Sequence, residues 1–171
     1  MKHLSRDHGI TILRPENPPA ITINSGEELM VEPWDAFTGI RAASVLTADS
    51  LVAQATGPIE VREAAPGDAL KVDLLKITPK EEAVHMVIPG RGFLEAEFTE
   101  PYPTVMAYDD GDIVFPSGLR FPINPSVGFV ATTPTYPQST ASDSGPYGGD
   151  IDMKELVAGS TIYLPVFVPG G

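Results

Sequence analysis

Glycine and proline divide this sequence into many short segments. The 16 glycines and 18 prolines of the 171 residues are spread along the chain instead of being gathered in one linker. Such dense turn punctuation is typical of all-β sandwiches and barrels. Between Leu70 and Leu74 apolar and charged residues alternate, which is the mark of a half-buried strand. The sequence therefore predicts an all-β sandwich of two packed, mostly antiparallel sheets with little helix.

The positions of individual elements follow from the same pattern. The stretches ITINSGEELMVEP and GPIEVREAAPGDALKVDLLKITP each predict a strand, a turn and a second strand, with turns at Ser25-Gly26 and Pro66-Gly67-Asp68. We interpret both as hairpins. Further strands are predicted at 82–88, 113–115, 127–131 and 161–168, short helices at 49–55 and 153–157, and a long loop at 134–149.

Composition excludes several classes of function. The net charge of −12 disfavours nucleic acid and anionic membrane surfaces as partners, because both need a basic surface. The absence of cysteine excludes disulfides, thiolate zinc sites and cysteine nucleophiles. No apolar run approaches the roughly 20 residues of a membrane helix, and the N-terminus has no apolar region of a secretory signal. We expect a soluble, cytoplasmic protein with one domain, residues 1–171.

Asp35 is the first candidate for a functional carboxylate. It lies in EPWDAFTG, between Trp34 and Phe37 and just after a predicted strand. A carboxylate buried between aromatic residues needs a cation, a hydrogen-bond network or a raised pKa. The alternative is an ordinary aspartate that caps a turn.

Asp150 and Asp152 form the second candidate, in the stretch GPYGGDIDMKEL. One residue separates them, so on an extended chain they share a face and could hold a hard cation or share a proton. The alternative is that Asp152 caps a short helix that begins at Met153. Gly148 and Gly149 allow positive φ and close approach of the backbone to a ligand, or they form a plain turn.

Five stretches in the same order resemble the acetamidase/formamidase family from about Ile21 to the end of the chain. They are SGEELMVEPWDAF, ATGPIEVREAAPGDALKVDLLKI, IPGRGFLEAEFTEP, FPINPSVGFVATTP and GPYGGDIDMKELVAGSTIYLPVFVPGG. The last is similar to a family pattern of G-x-[HY]-G-G-N-x-D followed by L-x-x-G-[ST]-x-[IVL]-Y-L-P-V-x-V-x-G.

The resemblance implies an enzyme that hydrolyses small aliphatic amides to a carboxylate and ammonia on an all-β, jelly-roll or CUB-like sandwich. It also implies a divalent metal, zinc or calcium, that activates water. Asp35 and Asp152 match the family's catalytic aspartates, and with Asp150 they are the expected metal ligands. Tyr147, Gly148 and Gly149 are the expected substrate-binding residues.

The sequence departs from the family pattern at two places. Tyr147 and Asp150 stand where the family commonly has histidine and asparagine. Family members also continue past the apolar strand 161–168 into a G-D-x-H…G-D-G-E segment that this sequence lacks. We therefore expect Val166, Phe167 and Val168 to be exposed unless a second polypeptide or a homo-oligomer covers them and completes the site. The alternative function is a non-catalytic β-sandwich that serves as a binding or assembly module.

Overall fold

The regular elements of this protein are short strands, as its turn-rich sequence requires. The computed structural model describes residues 1–37, 39, 53–80, 82–140 and 144–171, and within these ranges no residue is helical. The strands are β1 (Lys2–Leu4), β2 (Gly9–Ile10), β3 (Ile12–Leu13), β4 (Ile21–Ile23), β5 (Leu29–Val31), β6 (Ala55–Thr56), β7 (Ile59–Val61), β8 (Ala69–Asp73), β9 (Glu82–Val87), β10 (Tyr102–Asp109), β11 (Asp112–Val114), β12 (Arg120–Pro122), β13 (Phe129–Ala131), β14 (Gln138–Ser139), β15 (Ser144–Gly145), β16 (Gly148–Asp150) and β17 (Thr161–Pro165).

Most neighbouring strands pair antiparallel. The order in the largest sheet is β12-β11-β10-β9, and a three-stranded sheet has the order β13-β16-β15. Antiparallel pairs also join β14 to β3, β17 to β8 and β2 to β6, whereas β1–β5 and β4–β7 are parallel. The all-β, mostly antiparallel fold is confirmed. Because turns end most strands after two or three residues, the described strands form seven hydrogen-bonded groups where two sheets were predicted.

The two predicted hairpins have their turns but not their pairing. The amide of Glu27 donates to the carbonyl of Asn24 at 3.1 Å, and the amide of Asp68 donates to that of Ala65 at 3.0 Å. Yet β4 pairs with β7, β5 with β1, and β8 with β17. The hairpin interpretation is wrong because alternation of apolar residues fixes the buried face of a strand and leaves its neighbour open.

The N-terminal strands are held by segments far along the chain. β3 pairs with β14, and beside this pair the amide of Thr140 donates to the carbonyl of Thr11 at 3.0 Å. The hydroxyl of Thr140, which is 1% exposed, also bonds to the carbonyl of Ala53. These bonds join residues separated by up to 129 positions.

The helix predicted at 153–157 does not form. The amide of Leu156 donates to the carbonyl of Met153 at 3.0 Å, which closes one turn, and Val157 then makes a β-bridge to Ser126. This bridge takes the backbone away from a helical path. Of the helix predicted at 49–55, residues 49–52 lie outside the described residues, and Ala55 begins β6. The described part of the chain has no helix long and apolar enough to cross a membrane.

The long loop predicted at 134–149 is partly strand. It contains β14 and β15 and enters β16, while residues 141–143 lie outside the described residues. These strands pair with β3 and β13, so the Gly- and Ser-rich segment is hydrogen-bonded to the sheets on both sides.

Buried apolar side chains come from three parts of the chain. Leu4 and Leu13 belong to the N-terminal strands, and Met86 and Met106 to the β9–β10 pair. The others lie in the last 25 residues: Tyr147, Leu156, Leu164 and Val166. The C-terminal segment is therefore a main contributor to the core.

The prediction that Val166 needs a second polypeptide or a second copy of the chain to be buried is wrong. Val166 is 2% exposed, its amide donates to the carbonyl of Asp68 at 2.9 Å, and its carbonyl accepts the amide of Gly67 at 3.0 Å. Phe167 and Val168 are half-buried. The turn before β8, which belongs to the same chain, is hydrogen-bonded to this segment, and Val166 is buried within its own chain.

Replacement of Leu164 by alanine tests the contribution of β17 to the core. Leu164 is 6% exposed, so Leu164→Ala should lower the free energy of unfolding by about 2–5 kcal/mol in urea titrations. The matched control is Tyr163→Thr in the same strand, since Tyr163 is 65% exposed and threonine keeps a strand-forming side chain. Equal losses for the two variants would contradict this position of the core.

Candidate functional site

The centre of the candidate site is the strand β16, which carries Gly148, Gly149 and Asp150. It lies between β13 and β15, with Gly149 opposite Val130. Gly148 and Gly149 have φ values of +90° and +109°, which favour glycine. A Cβ atom on Gly148 would collide with the carbonyl of Val130 and lie 3.2 Å from Leu164 Cδ2. The close approach that Gly148 permits is therefore to its own chain, and a role of the two glycines in substrate binding stays a prediction.

Tyr147 is a core residue. It is 5% exposed, and a Cβ atom on Gly145 would lie only 2.8 Å from its ring. The carbonyl of Tyr147 accepts the amide of Thr132 at 2.9 Å. Its burial is explained by packing, and contact of Tyr147 with a substrate stays a prediction.

Thr132 connects this ladder to β17, and the sequence analysis did not single it out. Thr132 is 3% exposed, and its hydroxyl donates to the carbonyl of Pro165 at 2.7 Å. The amide of Thr132 also donates a hydrogen bond to the carbonyl of Tyr147. Thr132 thereby joins the segment before Gly148 to β17. The only sequence signal was a threonine directly after the apolar strand β13, which is a weak one because threonine is common in and around strands.

Asp150 and Asp152 lie at the end of β16 and just after it, and their role in one site stays a prediction. Asp150 ends β16 opposite Phe129. Burial raises the pKa of the Asp150 carboxyl, and the nearby charge of Asp152 raises it further. The two carboxylates therefore interact through their charges.

The backbone at Asp152 turns sharply. Its φ is +45°, in the left-handed region that non-glycine residues seldom adopt. The amides of Ile151 and Asp152 both donate to the carbonyl of Gly128, at 3.1 and 3.0 Å. Because no helix begins at Met153, the helix-capping alternative for Asp152 is wrong.

Asp35 caps a turn, which is the ordinary role weighed for it. Its Oδ1 accepts the amides of Phe37 at 3.0 Å and Gly39 at 3.3 Å. Beside it, the indole of Trp34 donates to the carbonyl of Arg6 at 3.0 Å, and the Arg6 guanidinium lies 5.2 Å from the ring centroid. A catalytic role of Asp35 stays a prediction.

The described part of the chain holds no group of three or more histidine, aspartate or glutamate side chains arranged for a metal ion. Asp35 is thus not gathered with Asp150 and Asp152 into such a group. A shallow cavity of about 360 Å³ lies elsewhere, and no predicted site residue lines it. Its lining residues are Thr11, Ile12, Pro137, Gln138 and Ser139.

Comparison with known proteins identifies the chain. The sequence model of the Acetamidase/Formamidase family matches residues 5–143. This chain belongs to the acetamidase/formamidase family. The family resemblance is thereby confirmed, and the matched residues include the first four of the five sequence stretches.

Solved structures of acetamidases share the fold. The acetamidase of Bacillus halodurans is 32% identical, with a TM-score of 0.90 over 98% of this chain. A protein of Thermoanaerobacter tengcongensis, described as a predicted acetamidase/formamidase, is 35% identical, with a TM-score of 0.92 over 99% of this chain. An acetamidase of Yersinia enterocolitica, 24% identical with a TM-score of 0.84, shares the fold alone. This chain spans 58% of the length of each of the first two proteins.

Removal of the Thr132 hydroxyl tests its link to β17. Thr132→Val keeps the shape of the side chain but removes the donor to Pro165, so it should lower the free energy of unfolding by about 1 kcal/mol in urea titrations. The control, Thr133→Val, makes the same chemical change one residue along the chain. A loss of equal size in the control would show that the hydroxyl bond is not the cause.

Replacement of Asp150 by asparagine, the residue common in the acetamidase/formamidase pattern, tests the electrostatics of the pair. Because its pKa is raised in the folded state, ionisation of Asp150 lowers stability as the pH rises through its titration range. Asp150→Asn should therefore increase the free energy of unfolding near pH 7, and the gain should shrink near about pH 3, where Asp150 is protonated.

Asp73→Asn is the control with the opposite sign. Hydrogen bonds from Lys71 and, to a smaller extent, from Thr161 lower the pKa of Asp73. Ionisation of Asp73 therefore stabilises the folded state. This variant should lose stability near pH 7 and recover relative to the wild type as the pH falls. Urea titrations at several pH values measure both effects. A gain for Asp150→Asn that does not change with pH would contradict the electrostatic explanation.

Proposed function

We propose that this chain takes part in the hydrolysis of small aliphatic amides to a carboxylate and ammonia. The observation that carries the proposal is the position of two carboxylates, Asp150 at the end of the glycine strand and Asp152 just after it, in a chain that belongs to the acetamidase/formamidase family. The 32% identity to an acetamidase of known structure supports it.

The reaction needs a group that takes a proton from water. In the proposed step the water oxygen attacks the amide carbon, the carbon–nitrogen bond breaks, and the nitrogen leaves as ammonia after gaining a proton. Asp152 is the proposed acceptor of the water proton, since a carboxylate within reach of water serves as a general base. Asp35 is a second proposed catalytic residue on the family resemblance alone.

A divalent metal, zinc or calcium, is part of the proposal, but the described residues do not fit a complete site for it. They bring together two carboxylates, whereas a catalytic zinc takes three protein ligands. We propose that a second polypeptide or protomer supplies what is missing.

A non-catalytic binding or assembly module is the second candidate. Two observations favour it: Asp35 caps a turn, and Gly148 is required by packing against Val130 and Leu164. Both residues are thus explained without a substrate. Turnover distinguishes the two candidates.

Ammonia release from formamide and acetamide tests the enzyme proposal. The chain together with the partner that completes its site, in the presence of zinc or calcium, should release ammonia, whereas the isolated chain should not. In the active complex, Asp152→Asn should lower kcat by about 100-fold or more. Glu95→Gln is the control, because Glu95 is an exposed carboxylate in another segment. An Asp152→Asn rate equal to that of wild type would contradict the role of Asp152, and a folded chain that binds an amide without releasing ammonia even with that partner would favour the binding module.

A further inference from the structure

Gly128 is hydrogen-bonded to the segment that follows β16. Its carbonyl accepts two successive amides, those of Ile151 at 3.1 Å and Asp152 at 3.0 Å. The chain after Asp150 is thereby folded back onto the residue that precedes β13. These two bonds hold the backbone where Asp152 adopts its left-handed conformation, and such a conformation persists in a non-glycine residue only when its surroundings fix it.

The side of Gly128 is occupied by the Asp152 carboxylate. A Cβ atom on Gly128 would lie 2.6 Å from Asp152 Oδ1 and 3.8 Å from its Cγ. The 2.6 Å separation from Oδ1 is well below the contact distance between carbon and oxygen. Gly128 is not among the residues with positive φ, so its backbone conformation is open to any amino acid. Space for the Asp152 carboxylate, and not backbone freedom, is the reason for glycine here.

We propose that Gly128 is a positioning residue, which fixes the place of the Asp152 carboxylate through two backbone hydrogen bonds and through its lack of a side chain. The placement follows from the contacts alone, and its consequence for amide hydrolysis rests on the proposed function. Any side chain at position 128 displaces the carboxylate or the backbone that carries it. The sequence shows Gly128 only as one glycine among 16.

The placement of the Asp152 carboxylate can be tested by measuring the stability of single and double mutants, without any assay of activity. Gly128→Ala should lower the urea midpoint in the wild-type background and in Asp152→Asn, because asparagine has the same size as aspartate. It should not lower the midpoint in Asp152→Gly, where the carboxylate is absent and glycine accepts the positive φ. Equal shifts in all three backgrounds would overturn the proposal.

Folding failure is also informative in this design. If Gly128→Ala alone does not fold, the Gly128→Ala/Asp152→Gly double mutant should still fold, and failure of both would overturn the proposal. The matched control is Gly9→Ala, because the new Cβ atom there meets the end of the Gln54 side chain. Gln54 is longer by one rotatable bond than Asp152 and its backbone is not in the left-handed region, so its end can move aside more easily than the Asp152 carboxylate. This control should leave the midpoint nearly unchanged.

Kinetics separate positioning from a purely structural role. Gly128→Ala should lower kcat for acetamide towards the value of Asp152→Asn and leave KM unchanged, and the Gly128→Ala/Asp152→Asn double mutant should be no slower than Asp152→Asn. Losses that multiply in the double mutant would overturn the positioning role. If the wild-type chain releases no ammonia even with the partner that completes its site, the proposed function fails, while the stability cycle still decides the placement of Asp152.

Discussion

The approach of the glycine strand to its neighbours is the constraint on which the site depends. β16 is so close to β13 that Gly148 has no room for a side chain, and Leu164 of β17 packs against the same position. The buried hydroxyl of Thr132 bonds these strands together. Packing on both sides therefore fixes the backbone that carries Asp150, and the hydrogen bonds to Gly128 fix the backbone at Asp152. This fixed backbone keeps the two residues near each other, although the charge of Asp152 disfavours ionisation of Asp150.

Local chemistry was predictable from the sequence. Leu70 and Val72 are half-buried while Lys71 and Asp73 are exposed, as the alternation required. The turns at Gly26 and at Gly67 also form as expected, since both glycines have positive φ. The ordered family stretches identified the family correctly.

Long-range relations were not predictable in the same way. The partner of a strand is set by the rest of the fold, so β4 and β5 pair with β7 and β1 instead of with each other. For the same reason the sequence could not show that the turn at Gly67 covers Val166. Thr132 and Gly128 went unnoticed because their roles depend on what lies opposite them, namely the Pro165 carbonyl and the Asp152 carboxylate.

The pairing of β3 with β14 has a consequence for the order of events during synthesis. Thr11 and Thr140 are 129 residues apart, and contacts of such separation make folding slow because a long loop must close first. At a synthesis rate of about 5–20 residues per second, β3 waits at least several seconds on the ribosome before its partner exists. During that time Leu13, which is 6% exposed in the folded chain, is without its native strand partner. We therefore expect the N-terminal segment to be the part of the nascent chain that most needs protection by chaperones.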